Sequence, residues 1–204
     1  MLNSLKQLQI PKGHRGAIVG QTGTGKSVLA RNILPKTGNL IIVDPKGMFD
    51  YPDMPVYTSI SAIKFQKPKR FIFRYKPNDF GNIQKLNEVY KYAYDRGNTF
   101  VYTDDVIGIM DKTRYPKYLA ICYQMGRQKN VTMLSTFQRP AWLPLFLMTE
   151  CDKFYLFRVT MKEDINRINQ IVGGYSPDLL PNKHCFLHRD IYNDSLTDVV
   201  KLTI

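Results

Sequence analysis

Little in this chain is of the kind that builds disulfide frameworks, metal sites or membrane spans. Only three cysteines, Cys122, Cys151 and Cys185, occur in 204 residues. The count is odd and no Cys-x-x-Cys pair is present, which argues against a disulfide scaffold or a zinc site and leaves buried thiols in a reducing compartment. The three histidines, His14, His184 and His188, show no metal-ligand spacing. No apolar run approaches the roughly 20 residues of a membrane span, and residues 1–12 are too interrupted for a signal peptide. A soluble, intracellular protein is expected. Internal repeats and low-complexity tracts are missing, which argues against a solenoid. Acidic residues are scarce, 17 against 29 lysines and arginines, for a formal charge of +12. That balance favours a polyanionic partner such as DNA, RNA or an anionic membrane, the plainer alternative being a well-solvated basic surface.

What the chain does have is one dominant motif. Gly20-Gln21-Thr22-Gly23-Thr24-Gly25-Lys26-Ser27 follows the apolar run Ala17-Ile18-Val19 and precedes Val28-Leu29-Ala30. This is the spacing of a phosphate-binding P-loop, with a strand before it and a helix after it. Glycines let backbone N–H groups turn inward around phosphates, and the helix beginning near Lys26 adds its positive end. Lys26 is expected to reach the β- and γ-phosphates of ATP and the Ser27 hydroxyl to ligate Mg2+.

The rest of the chain supplies an α/β frame. With 44% hydrophobic residues over 204, the length suits one packed domain and is too short for two. Leu2, Leu5, Leu8 and Ile10 form a candidate N-terminal arm over residues 1–12. Residues 39–43 read as a buried strand closing on Asp44-Pro45-Lys46-Gly47, so strand, helix and strand make a βαβ unit and an at least partly parallel sheet. Residues 48–69 read as loop with a short strand at 55–57. Further strands are expected at 71–75, 99–103, 131–136 and 153–159, and late ones at 186–187 and 197–202 near a sheet edge. Helical spacing marks 80–94, 115–127 and 162–171.

Three further positions carry candidate chemistry. Asp104 and Asp105 follow the strand at 99–103, where ligands gather at the carboxyl ends of open α/β sheets. Asp104 suits a Walker B ligand for Mg2+ and Asp105 an acid that polarises the attacking water. Paired aspartates after a strand also serve as helix caps. Gln138 follows the strand at 131–136, which is expected to adjoin both the P-loop and Walker B strands. Its amide can bond the γ-phosphate or the attacking water without adding negative charge, or simply sit in a surface turn before Pro140. Arg127 lies at the opposite end of that strand, and a strand spans roughly 17–20 Å. It is therefore a poor partner for its own subunit's nucleotide and a candidate arginine finger for a neighbour's. A basic surface cluster with Lys129 is the alternative.

The ordered set of P-loop, Asp44-Pro45-Lys46-Gly47, Asp104-Asp105, and Gly126-Arg127 leading to Thr136-Phe137-Gln138-Arg139-Pro140 resembles the FtsK/HerA superfamily over about residues 16–140. Within it, a short chain without appended domains is similar to the genome-packaging ATPases of membrane-containing icosahedral viruses. The resemblance implies a three-layer, RecA-like P-loop NTPase of the additional-strand type, residues 141–204 completing its sheet. It also implies a homo-oligomeric ring, commonly a hexamer, that pumps double-stranded DNA with ATP and Mg2+. A capsid or internal-membrane protein at a packaging vertex is the implied docking partner, in the host cytoplasm and in association with the virion. Lys26 and Ser27 become the phosphate and magnesium ligands, Asp104 the Walker B acid, Gln138 the polar sensor and Arg127 the trans-acting finger. The family usually carries glutamate where Asp105 stands, which leaves open which aspartate activates water, and Phe137 between Thr136 and Gln138 leaves the sensor register open by one. Basic residues for a DNA pore are sought in 64–76 and around Lys112 and Arg114. Two rivals stand beside this reading. One is a nucleoside or nucleotide kinase, for which no arginine-rich lid is found. The other is a virion assembly or docking factor that binds ATP without motor activity.

Overall fold

The structure, a computed structural model, describes residues 8–105, 110–191 and 195–202. A nine-stranded sheet runs through it in the order β3-β4-β2-β5-β6-β1-β7-β8-β9. The strands are β1 (Arg15–Val19), β2 (Asn39–Val43), β3 (Val56–Tyr57), β4 (Arg70–Phe73), β5 (Thr99–Thr103), β6 (Thr132–Phe137), β7 (Lys153–Phe157), β8 (Cys185–Asp190) and β9 (Ser195–Lys201). From β3 across to β7 every pairing is parallel, while β7–β8 and β8–β9 are antiparallel. β6 lies between the P-loop strand β1 and the Asp104-bearing strand β5. It is the additional strand that the resemblance implies.

Period-two alternation divides the strands' side chains between two cores. Ala17, Val19, Ile41, Val43, Val101 and Met133 face one; Ile18, Leu40, Ile42, Tyr102 and Leu134 face the other. Helix α1 (Lys26–Ile33) covers the second face through Leu29, Ala30 and Ile33. The first face is covered by α2 (Ile60–Gln66), α3 (Ile83–Arg96), α4 (Lys117–Met125), α5 (Phe146–Thr149) and α6 (Lys162–Ile171). Three layers result, with a mainly parallel sheet in the middle. All three cysteines are buried and free.

Most sequence-based elements form within a few residues of their expected ends. One is corrected: residues 48–69 are not all loop, because α2 lies inside them. Its start is set by Ser59, whose Oγ accepts from the Ala62 N–H at 3.4 Å, and its end by Lys67 in a left-handed conformation. Of its seven residues only Ile63 is buried and Phe65 is 87% exposed, so a cap defines this helix where no apolar stripe does. The helix at 115–127 is also shorter, giving way after Met125 to a 3-10 turn, Gly126–Lys129, that carries Arg127. Of the N-terminal arm, Leu8 and Ile10 pack into the α1-side core, and residues 1–7 lie outside the described residues.

Candidate functional site

The glycine loop leaves the carboxyl end of β1 and is tied to both neighbouring strands. Gly20 N–H donates to the Phe137 carbonyl at 3.0 Å and Gln21 N–H to the Arg158 carbonyl at 3.1 Å. Gly25 caps α1 in a left-handed conformation with φ 105. That backbone angle favours glycine, and the side chain of Leu202, from the segment after β9, approaches the position closely: a Cβ there would lie 2.8 Å from Leu202 Cδ2. Lys26 Nζ donates to the Gln21 carbonyl at 2.8 Å, and Thr24 Oγ1 donates to the same oxygen at 2.8 Å. Burial pushes the Lys26 ammonium below its ordinary pKa, with Asp105 and Asp104 pulling the other way.

A cleft of about 400 Å³ opens over this loop. It is lined by the loop residues Thr22, Gly23, Gly25, Lys26 and Ser27 together with Lys46, Asp104, Asp105, Thr136, Gln138 and His184. Each of β2, β5 and β6 delivers residues at its carboxyl end, as a parallel sheet requires. Asp104 Oδ1 accepts from the Tyr102 hydroxyl at 2.6 Å and from Thr136 Oγ1 at 3.2 Å. Burial raises the Asp104 carboxyl above the usual range, these two hydrogen bonds opposing it and the nearby Asp44 adding to it. Asp105 has φ 44, rare for a residue with a Cβ. Its N–H donates to Thr136 Oγ1 at 2.6 Å, while its Oδ2 accepts from Gln138 Nε2 at 2.7 Å and from Lys46 Nζ at 2.5 Å. Gln138 Oε1 in turn accepts from Thr22 Oγ1 at 3.0 Å. Gln138, rather than a neighbour one residue away, is therefore the side chain that links Asp105 to the loop, and Phe137 is buried in the core on the sheet's other face.

Arg127 is not brought to this cleft. It lies at the amino edge of the sheet, where its Nη2 donates to Asp152 Oδ1 at 2.9 Å. Asp152 Oδ2 also accepts from Arg15 N–H at 3.0 Å and faces His14 Nδ1 at 3.2 Å. Two residues of the cleft escaped sequence reasoning. Lys46 was visible in the turn after β2 but had no assigned partner, because its proximity to Asp105 depends on β2 pairing beside β5. His184 comes from the antiparallel extension, and no local pattern ties it to the loop.

Strand, glycine loop and helix, faced across a cleft by two aspartates from the strand one removed in the sheet, define a P-loop NTPase. No family model matches the chain. In sequence it is 29% identical over 164 residues, 78% of this chain and 69% of the relative, to the DNA packaging ATPase P9 of Enterobacteria phage PRD1. In fold it is similar to the genome packaging NTPase B204 from Sulfolobus turreted icosahedral virus 2 in complex with ATP-gammaS. The TM-score is 0.75 at 16% identity, covering 94% of this chain and 98% of that one. B204, the DNA-packaging ATPase from Sulfolobus turreted icosahedral virus, matches with a TM-score of 0.66 at 15% identity over 96% and 100% of the two chains. The chain thus resembles viral genome-packaging ATPases in sequence and in fold.

Proposed function

We propose that this chain is a viral genome-packaging ATPase, and more specifically a Mg2+-dependent motor that translocates double-stranded DNA into a preformed capsid. The observation that carries the reading is the convergence of Lys26, Ser27, Asp104, Asp105 and Gln138 on one cleft above the glycine loop. A kinase reading gains no support from that set, which includes an acid and an amide suited to activating water.

Lys26 leaves the Gln21 carbonyl to meet the β- and γ-phosphates of ATP, and the N–H groups of the loop and of α1 receive the remaining phosphate oxygens. Asp105 accepts a proton from a water aligned with the γ-phosphorus, and Gln138 orients that water through its amide. The bond from the γ-phosphorus to its bridging oxygen breaks, leaving ADP and phosphate. Ser27 and Asp104 face the same cleft and are the oxygen donors that magnesium takes alongside phosphates and water, so the donor set fits that ion. Bound there, it supplies neutralisation of phosphate charge. Arg127, remote from its own cleft, serves a neighbouring subunit in a ring, with the hexamer as the favoured assembly.

For the DNA pore, the candidates narrow. Arg70 donates to the Pro35 and Gly38 carbonyls, and Arg74 to Asp44 and the Phe49 carbonyl. Those guanidinium groups hold the fold together and Lys64 Nζ is paired with Glu88 Oε2 at 2.9 Å, which leaves the exposed Lys67, Lys69, Lys76, Lys112 and Arg114 as phosphate contacts. Such contacts predict binding that weakens steeply with salt and ignores base sequence. The decisive experiment is ATP turnover with and without double-stranded DNA, paired with solution mass with and without a nucleotide analogue. Turnover indifferent to DNA at every salt concentration, with no ring formed, would overturn the motor reading.

A further inference from the structure

Lys46 is a second lysine in the cleft, and its partner is the residue proposed to take the proton from water. Asp105 offers two carboxylate oxygens. Oδ2 is engaged twice, by Lys46 Nζ and by Gln138 Nε2. Oδ1 is buried and has no hydrogen-bond partner among the described residues. In this arrangement the acid is masked: its one engaged oxygen already faces a cation and an amide. A chain of contacts, Thr22 to Gln138 to Asp105 to Lys46, runs from the glycine loop to the β2 turn.

The two ends of Lys46 differ in freedom. Its backbone is held in a rigid turn, because Gly47 N–H donates to the Asp44 carbonyl at 3.2 Å. The wholly buried Asp44 carboxylate accepts from the Met48 and Phe49 N–H groups and from Arg74 Nε. The side chain itself is 33% exposed and lines the cleft with Lys26 and Ser27. An ammonium on a four-carbon stem can exchange one anion for another without moving its backbone. The anion that the cleft is shaped to admit is a phosphate chain seated on the glycine loop.

We infer that Lys46 is a γ-phosphate-binding lysine that exchanges its contact with Asp105 for the γ-phosphoryl group of a nucleoside triphosphate, and in doing so frees Asp105. A diphosphate lacks the group that draws Lys46 away, so Asp105 stays masked after product forms and phosphate leaves. In the triphosphate state Lys46 keeps its proton and lies against γ-phosphoryl oxygens. Asp105 then accepts the proton of the attacking water as the bond between the γ-phosphorus and the bridging oxygen breaks. This deepens the ATPase assignment and rests on it.

The test compares binding of ADP and of the slowly hydrolysed triphosphate ATP-γS to the full chain, together with ATP turnover. For Lys46→Met, ADP affinity is expected to stay within about twofold while ATP-γS binding weakens about tenfold, as for loss of one charge-assisted contact. Turnover should fall about 100-fold or more. For Asp105→Asn, which removes the charge that competes for Lys46, ATP-γS should bind more tightly with ADP unchanged. If Lys46→Met weakens both nucleotides equally, or leaves triphosphate preference and turnover intact, the inference fails. A lowered melting temperature with unchanged nucleotide preference would likewise show the pair to be merely structural. Failure of the underlying reading looks different: the wild-type chain would bind neither nucleotide, or Lys26→Ala would bind both normally.

Discussion

The two edges of the sheet use the same chemistry to opposite ends. At the amino edge, Asp152 gathers Arg127, His14 and the Arg15 N–H, and both carboxylate oxygens are occupied. At the carboxyl edge, Asp105 holds a lysine and an amide on one oxygen and leaves the other bare. One carboxylate has both oxygens paired; the other leaves one oxygen without a partner beside the cleft. The contrast teaches that an ion pair's role is read from what remains unsatisfied and from what the neighbouring cavity can deliver, more than from its length.

The sharpest way to break the comparison is at the carboxyl edge. Lys26→Ala should reduce ATP turnover to background while leaving the melting temperature within a few degrees, since the lost cation is a desolvated one; unfolding of the variant would mean that this lysine is structural after all. Next is Arg127→Ala, which should cost about 10³-fold in turnover of an assembled ring, the scale of an arginine finger. Its effect on stability should be small, about 0–1 kcal/mol, because the Arg127 side chain that pairs with Asp152 is half exposed. Mixing it with Lys26→Ala chains should restore part of the activity, since hybrid interfaces join an intact loop to an intact arginine. Absence of any restoration in mixed rings would argue against a role in trans.

At the amino edge the expected effects are smaller and thermodynamic. Asp152→Ala strips the Arg15 N–H of its acceptor and should destabilise the fold by about 1–3 kcal/mol, read by denaturant unfolding, with ADP affinity unchanged. Smallest is a pH effect at β8. His188 stacks on Tyr155 with ring centroids 5.1 Å apart, and burial, then Lys153, lowers its pKa from 6.5 to about 4. Between those values the unfolded chain binds a proton that the folded chain refuses, so stability should decline as pH falls from about 6.5 towards about 4. His188→Gln should flatten that part of the profile, and a profile identical to the wild type would assign the decline to other groups.

Much of the cleft was legible in the sequence because a parallel sheet collects strand ends on one edge. Knowing that residues 99–103 and 131–136 are strands is enough to bring Asp104, Asp105 and Gln138 to the same rim as the glycine loop. What was not legible depends on which strands become neighbours. That Thr136 holds Asp104, or that Lys46 reaches Asp105, follows from β5 pairing with β6 on one side and β2 on the other. α2 escaped for a local reason, having a cap but almost no buried face.

The meeting of Leu202 with Gly25, and of His184 with the cleft, joins residues near position 200 to a loop near position 20. The two ends of the β8–β9 extension thus lie against the phosphate loop and its cleft. A fluorophore or exchange-sensitive amide on those strands, far in sequence from the phosphate loop, is well placed to sense its filling and emptying.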